Sequence, residues 1–208
     1  MNKPILEIIA VTYGHGFKLK CFIDSIRSQT ASNWCLHIIH DGAGETFDNL
    51  KQDLSNNGYL DDARIVLSAT ETRTNNWGHP LREYGLQNRI SDAPYITITN
   101  CDNYYVPIWV SDINNLANQD KDFIYWDCVH NHENNNNFDR VHGYALLTSK
   151  LKICAIDMGC VAVKSSIAVK VGFPFRSFGA DWDFFQGCLQ HISPDKIQKI
   201  PKILFVHN

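Results

Sequence analysis

The sequence predicts an α/β fold: a mostly parallel central sheet flanked by helices. Three observations predict it. Apolar runs of strand length alternate with segments of helical periodicity, short turns join them, and three of the runs stop abruptly in clusters of small polar residues. Strands of this kind, linked by helices, pair in parallel through right-handed crossovers.

The elements follow in order. Leu6 to Tyr13 is a nearly continuous apolar run, as expected of a strand covered on both faces, and Gly14-His-Gly16 breaks it. From Phe17 to Gln29, Leu19, Phe22, Ile23 and Ile26 recur at helical spacing. Trp34 to His40 is a second strand, ending at Asp41-Gly-Ala-Gly44. A helix over Phe47–Ser55 and a third strand over Ala63–Ser68 come next. Pro80 suits a helix start, and that helix runs to about Ile90. Tyr95 to Thr99 is the fourth strand, closing in Asn100-Cys-Asp102-Asn103. Beyond it the texture changes. We expect a helix over Pro107–Asn118, strands at Phe123–Cys128 and Gly159–Lys164, and a helix from Asp181 to Leu189. Ile197 to Val206 reads as an edge-like final strand, because proline (Pro201) is tolerated mainly at edges. His130 to Asp139 is a polar, Asn-rich loop, so His130 and His132 are read as solvated.

At 208 residues the chain suits one domain, 1–208, and a net charge of −3 gives nucleic acid no basic face to meet. No run approaches the ~18 apolar residues that span a bilayer. The short apolar start contains Glu7, unlike a secretory signal. The seven cysteines lack C-x-x-C spacing, so a structural zinc is not expected, and Cys35, Cys101, Cys154 and Cys160 read as small buried residues. A cytoplasmic location is expected, with peripheral association at a membrane compatible with it. The oligomeric state is left open.

A sheet of this kind takes ligands at the carboxyl ends of its strands. There Asn100 and Asp102 offer oxygens of the sort that hard cations use when they bridge phosphates. Six segments, in order, carry a resemblance over nearly the whole chain. They are Ile9 to Tyr13, Ser25 to Thr30, Ile38 to Ala43, Leu81 to Gly85, Thr99 to Asn103 and Ala180 to Asp183. Together these resemble glycosyltransferase family 2, whose members have the GT-A fold of nucleotide-diphospho-sugar transferases. The resemblance implies transfer of a sugar from a nucleotide sugar to an acceptor hydroxyl, by an inverting route, with Mn²⁺ or Mg²⁺. The acceptor would be a carbohydrate, lipid-linked or small molecule. Residues 1–105 would then hold the nucleotide sugar and 106–208 the acceptor side. The chain departs from the family pattern at Gly14, His40, Asn100 and Ala180. A nucleotidyltransferase of related fold and a silent nucleotide-sugar binder are the rival readings.

The resemblance assigns roles residue by residue. Thr12 and Tyr13 would flank the base, and Asp41 would accept a hydrogen bond from base or ribose, its bland alternative being a loop-start cap. Arg82 would approach the nucleotide or lie as a solvated charge on its helix. Asp102 would bind the metal with Asn100 beside it, and Asn103 caps the turn. Asp181 would take the acceptor's proton, against the alternative of a helix cap, with Asp183 in support. His207, at the end of the last apolar run, would complete the metal site, since imidazole suits Mn²⁺. His79 has no family counterpart and reads as a loop histidine.

Overall fold

The computed structural model describes residues 3–14, 16–130, 145–174, 176–177 and 179–208. His132 and most of the Asn-rich loop lie outside them. One sheet runs through both halves of the chain.

In the amino-terminal half, β1 (Leu6–Thr12), β2 (Trp34–His40), β3 (Ile65–Ala69) and β4 (Tyr95–Asn100) pair in parallel in the order β3-β2-β1-β4. Every residue of β1 and β2 is buried, which explains their unbroken apolar runs. Helices α1 (Gly16–Arg27), α2 (Glu45–Asn56) and α3 (His79–Gln87) cross between them. α1 turns Leu19, Phe22, Ile23 and Ile26 into the core. α3 comes down close on the sheet at Gly85, where a Cβ would sit 2.5 Å from Ile9 Cγ2 and 2.7 Å from Ile39 Cδ1. Glu7, fully buried within β1, is satisfied by the turn after α3. It accepts from Ile90 N (2.9 Å), Ser91 Oγ (2.8 Å) and Arg89 Nε (3.2 Å).

The carboxyl-terminal half is built differently. β5 (Tyr104–Tyr105), α4 (Trp109–Ala117), β6 (Phe123–His130), β7 (Ala145–Leu147), β8 (Val161–Lys164), α5 (Ser165–Val171), α6 (Ala180–Leu189) and β9 (Ile197–His207) complete the chain. The sheet continues β4-β8-β6-β9-β5, with β7 on β6. β8 runs antiparallel to both β4 and β6, and only β6 and β9 are parallel here. The mostly parallel expectation is thus met in the first half, and the whole sheet is mixed.

Two expectations are corrected by packing. β9 is not an edge along its whole length, because β5 covers Phe205 and Val206. Pro201 is accommodated by a bulge instead: the register steps from Trp126↔Ile200 to Asp127↔Ile203 and then to Cys128↔Phe205. Cys154 is exposed, whereas Cys35, Cys101 and Cys160 are buried, and all seven cysteines are free thiols.

The halves are joined by an aromatic cluster. Tyr105 stacks on Trp109 at 3.9 Å between ring centroids and lies 5.0 Å from Phe205. Its hydroxyl donates to Gly159 O (2.9 Å), so its burial leaves no donor unpaired. No helix of the described residues is long and apolar enough to cross a membrane.

Candidate functional site

A cleft of about 1190 Å³ opens at the carboxyl ends of β1, β2 and β4. It is lined by all eight of the residues singled out by sequence: Thr12, Tyr13, Asp41, Arg82, Asn100, Asp102, Asp181 and His207. They come from positions nearly two hundred residues apart, brought together by sheet order.

At one end, Asp41 is buried just past β2 and holds the segment that precedes α3. Its Oδ1 accepts from Thr74 N (2.7 Å) and Thr74 Oγ1 (2.8 Å), and its Oδ2 from Asn75 N (2.8 Å). The held segment is strained. Asn75, Asn76 and Trp77 have φ of 54°, 58° and 52°, positive values that L side chains rarely adopt and that cost on the order of 1–3 kcal/mol each. Trp77 is 70% exposed and lines the cleft. Tyr13, 39% exposed, carries the Arg73 guanidinium over its ring at 3.6 Å.

Arg82 is the hub of the centre. Only 5% of it is exposed, which removes the solvated-charge reading. Nη1 donates to His79 Nδ1 (2.7 Å) and lies 3.2 Å from Asp181 Oδ1, while Nη2 donates to Asn100 Oδ1 (3.3 Å). The arginine therefore ties three of the motifs together. His79 is corrected as well: it is buried, not a loop residue. With Nδ1 accepting from Arg82, its Nε2–H donates to Ser177 O (3.1 Å). Burial lowers this imidazole to about 4, and the charge of Arg82 adds to the effect, so it stays neutral. The sole sequence cue to His79 was its place directly before Pro80 at a helix start.

The far wall comes from the carboxyl-terminal half. Asp181 sits in the first turn of α6 with its side chain 32% exposed. Burial pushes its carboxyl up to about 6, and Asp157 reinforces the rise, against Arg82, the Met158 N–H and His207. Asp157 belongs to the half expected to form the acceptor side. It caps the 3₁₀ turn Met158–Cys160 through Gly159 N (2.8 Å), and its Oδ2 lies 3.6 Å from His207 Nδ1. Asp183 accepts from Ser177 Oγ at 3.4 Å and does not line the cleft.

Asp102 closes the arrangement. Its Oδ1 is buried without a hydrogen-bond partner among the described residues, a position where a cation's charge would compensate. The end of β9 reaches it: Asn208 Nδ2 donates to Asp102 O (2.9 Å), and Asn208 N to Asn103 Oδ1 (3.4 Å). Asn103 is buried and also donates to Thr99 Oγ1 (3.2 Å), so it holds the turn as expected. Among the described residues, no three His, Cys, Asp or Glu side chains converge as a complete metal cage. Asp102 and His207 both line the cleft and would supply only the smaller part of a coordination sphere, with the rest left to substrate oxygens and water.

No protein-family model matches the chain, and no curated protein matches it in sequence. The family 2 resemblance therefore rests on the motifs alone. Solved structures do match. TarS 1-349 of S. aureus superposes with a TM-score of 0.71 at 12% identity, covering 98% of this chain and 60% of that one. The mannosyltransferase PcManGT of Pyrobaculum calidifontis, in complex with GDP-Man and Mn²⁺, gives 0.66 at 13%, covering 99% and 57%. GalNAc-T7 with UDP, GalNAc and Mn²⁺ gives 0.71 at 11%, covering 99% and 43%. The chain spans about 60% or less of each of these neighbours. At such identities the likeness establishes the fold, and it is the GT-A fold expected from sequence.

Proposed function

We propose that the chain is a glycosyltransferase that moves a sugar from a nucleoside-diphosphate sugar to an acceptor hydroxyl. One observation carries the reading: seven residues chosen by motif, together with His207 at the end of the last strand, line a single cleft at the ligand-binding edge of a GT-A sheet. Fold alone would not suffice, since one fold hosts many activities.

In this reading Thr12, Tyr13 and Asp41 hold the nucleoside end, and Asn100 and Asp102 lie against the diphosphate. A divalent cation held by Asp102 and His207 would neutralise charge growing on the leaving diphosphate. Arg82, desolvated and fixed from three sides, positions Asp181 and adds positive charge near the reacting centre. Asp181 takes the proton from the acceptor hydroxyl as its oxygen bonds to the anomeric carbon and the bond from that carbon to the diphosphate breaks on the opposite face, an inverting displacement. Its raised basicity suits that role, because a carboxylate near 6 is a better proton acceptor than one near 4 and is still ionised at neutral pH. Trp182, Ile153, Met158 and Leu147 give the acceptor side an apolar wall.

The test is release of nucleoside diphosphate from UDP- and GDP-sugars, with and without Mn²⁺ and with simple sugar acceptors. Metal-dependent release that an acceptor accelerates supports the reading. Tight nucleotide binding without turnover would make the chain a silent binder. Formation of a sugar nucleotide from sugar phosphate and nucleoside triphosphate would make it a nucleotidyltransferase.

A further inference from the structure

We propose that His79 is a positioning residue: its bare Nδ1 limits Arg82 to a one-nitrogen contact with Asp181, so that the guanidinium orients the carboxylate without clamping it. The inference rests on the reading of Asp181 as the acceptor's base. It goes beyond that reading by giving a role to a residue that the family resemblance leaves without one.

Arginine and carboxylate often pair through a fork of two parallel N–H···O bonds, and an opposite charge held so close keeps a carboxyl well below its usual range. A base clamped in that way accepts a proton poorly. Arg82 does not fork onto Asp181. Nη1 alone meets the carboxylate, 3.2 Å from Oδ1, and the same nitrogen donates to His79 Nδ1 at 2.7 Å. Nη2 is turned to Asn100 Oδ1 at 3.3 Å. The shortest of the three contacts is the one to the imidazole. Among the described residues, Asp181 is the carboxylate within ion-pair reach of Arg82, so it is where a released arginine would turn.

The imidazole is built into this place. His79 opens α3 three residues before Arg82, a spacing that puts both on one helix face. It is 4% exposed, with the rings of Phe173 and Trp77 centred 5.6 and 6.0 Å from its own. Its Nε2–H donates to Ser177 O (3.1 Å), which fixes the tautomer and leaves Nδ1 bare. Both ring nitrogens are thus engaged, and a proton added at Nδ1 would face Arg82, with Arg176 adding to the repulsion. The histidine therefore positions and does not itself take the acceptor's proton. Asp181 is faced by Arg82 from α3, by Asp157 from the turn before β8 and by His207 from the end of β9. On its own helix, Asp183 is turned to Ser177 Oγ. Of these groups, Arg82 is the one that His79 touches. Without Nδ1, the released Nη1 hydrogen would be a buried donor lacking a partner, and the carboxylate beside it would take it.

The experiment follows the Asp181 carboxyl by carbon NMR in the wild type, His79→Phe and His79→Asn, its signal identified by its loss in Asp181→Asn. His79→Phe keeps a ring between Phe173 and Trp77 but removes the acceptor, and the Asp181 titration should fall by about one pH unit or more. In His79→Asn a side-chain carbonyl oxygen stands where Nδ1 does, and the titration should stay with the wild type. In turnover, His79→Phe should carry the acid limb of kcat to lower pH and reduce kcat at neutral pH several-fold, with KM for the nucleotide sugar unchanged. His79→Leu repeats the test if the phenylalanine ring does not fit. An Asp181 titration that is unmoved in His79→Phe, or moved equally in His79→Asn, overturns the inference and leaves the transferase reading standing. A shift confined to His79→Phe in a chain that transfers no sugar upholds the one-nitrogen contact and overturns the transferase reading instead.

Discussion

On the β3-β2-β1-β4 side of the cleft, β2 and β4 end in polar groups already held by neighbouring protein. Asp41 accepts three hydrogen bonds, and Asn100 is fixed by Arg82. On the β8-β6-β9 side the groups arrive on unlike supports: a 3₁₀ turn for Asp157, a helix start for Asp181, a strand end for His207. The contributing acid with a strongly raised carboxyl, Asp181, belongs to this second side. The difference teaches a division of labour. Pre-satisfied side chains at regular strand ends suit recognition, and an acid held partly buried beside an arginine suits proton transfer.

That division can be broken by experiment. The largest effect should come from Asp102→Ala, at the junction of the two sides, which should lose ~10²–10³ in turnover and its cation dependence. Steady-state rates across a Mn²⁺ series check this, and unchanged rates would remove Asp102 from the reacting centre. Asp181→Asn should lower turnover by roughly 10² while nucleotide affinity stays near wild type. Equal losses in both would move Asp181 into the recognition half. In the wild type, turnover should decline as pH falls through about 6, where the Asp181 carboxylate takes up its proton.

The same group has a stability signature of opposite sense to an ordinary ion-paired acid. Its carboxyl is raised in the folded state, so its favourable contribution is complete below 3.8 and disappears as pH rises through about 6. Melting curves of Asp181→Asn should therefore gain on the wild type above pH 6 and converge with it in acid.

Two glycines compare the halves by packing. A Cβ on Gly159 would run into the Phe205 ring and lie 2.9 Å from Tyr105 Oη, and one on Gly85 would meet Ile9 and Ile39. Each change to alanine should cost ~1–3 kcal/mol in urea unfolding. Gly159→Ala should also reduce turnover, because the 3₁₀ turn that presents Asp157 must shift, whereas Gly85→Ala should affect stability alone. The smallest effect expected is for His207→Ala, about tenfold weaker Mn²⁺-dependent nucleotide binding with little change in melting temperature.

The same contrast governs what could be read from sequence. β1, β2 and β4 were legible because burial on both faces writes an unbroken apolar run. Seven of the cleft residues were legible because motif order picked them out, at strand ends for Thr12, Tyr13, Asp41, Asn100 and Asp102 and on helices for Arg82 and Asp181. His207 was legible as the polar residue closing the last apolar run. β5 and β7, two and three residues long, carry no period to detect. α5, only seven residues long, was missed because Ile167, Val169 and Val171 alternate with a strand-like period instead of a helical one. The antiparallel insertion of β8 between β4 and β6 is set by pairings far apart in the chain, which local pattern does not encode. Cys154 misled because its neighbours are apolar, yet Ile153 itself is exposed. The depth of Arg82 and His79 was invisible for a related reason: their partners, Asn100, Phe173, Ser177 and Asp181, lie far from them in the chain.

The bulge in β9 has a bearing on which changes this protein could survive. Before it, residues of β9 lie opposite β6 with an offset of 74, and after it with an offset of 77. Three added residues, an odd number, exchange the two sides of a strand whose side chains alternate. Without them Leu204 would stand opposite His130, and the histidine would be carried some ~10 Å onward, beyond the end of its partner. The segment around Pro201 is thus a frame setting for the terminal histidine. Point substitutions there should be mild, whereas deleting a single residue should leave a stable sheet whose last imidazole points away from Asp157. Length, more than composition, sets what that stretch does.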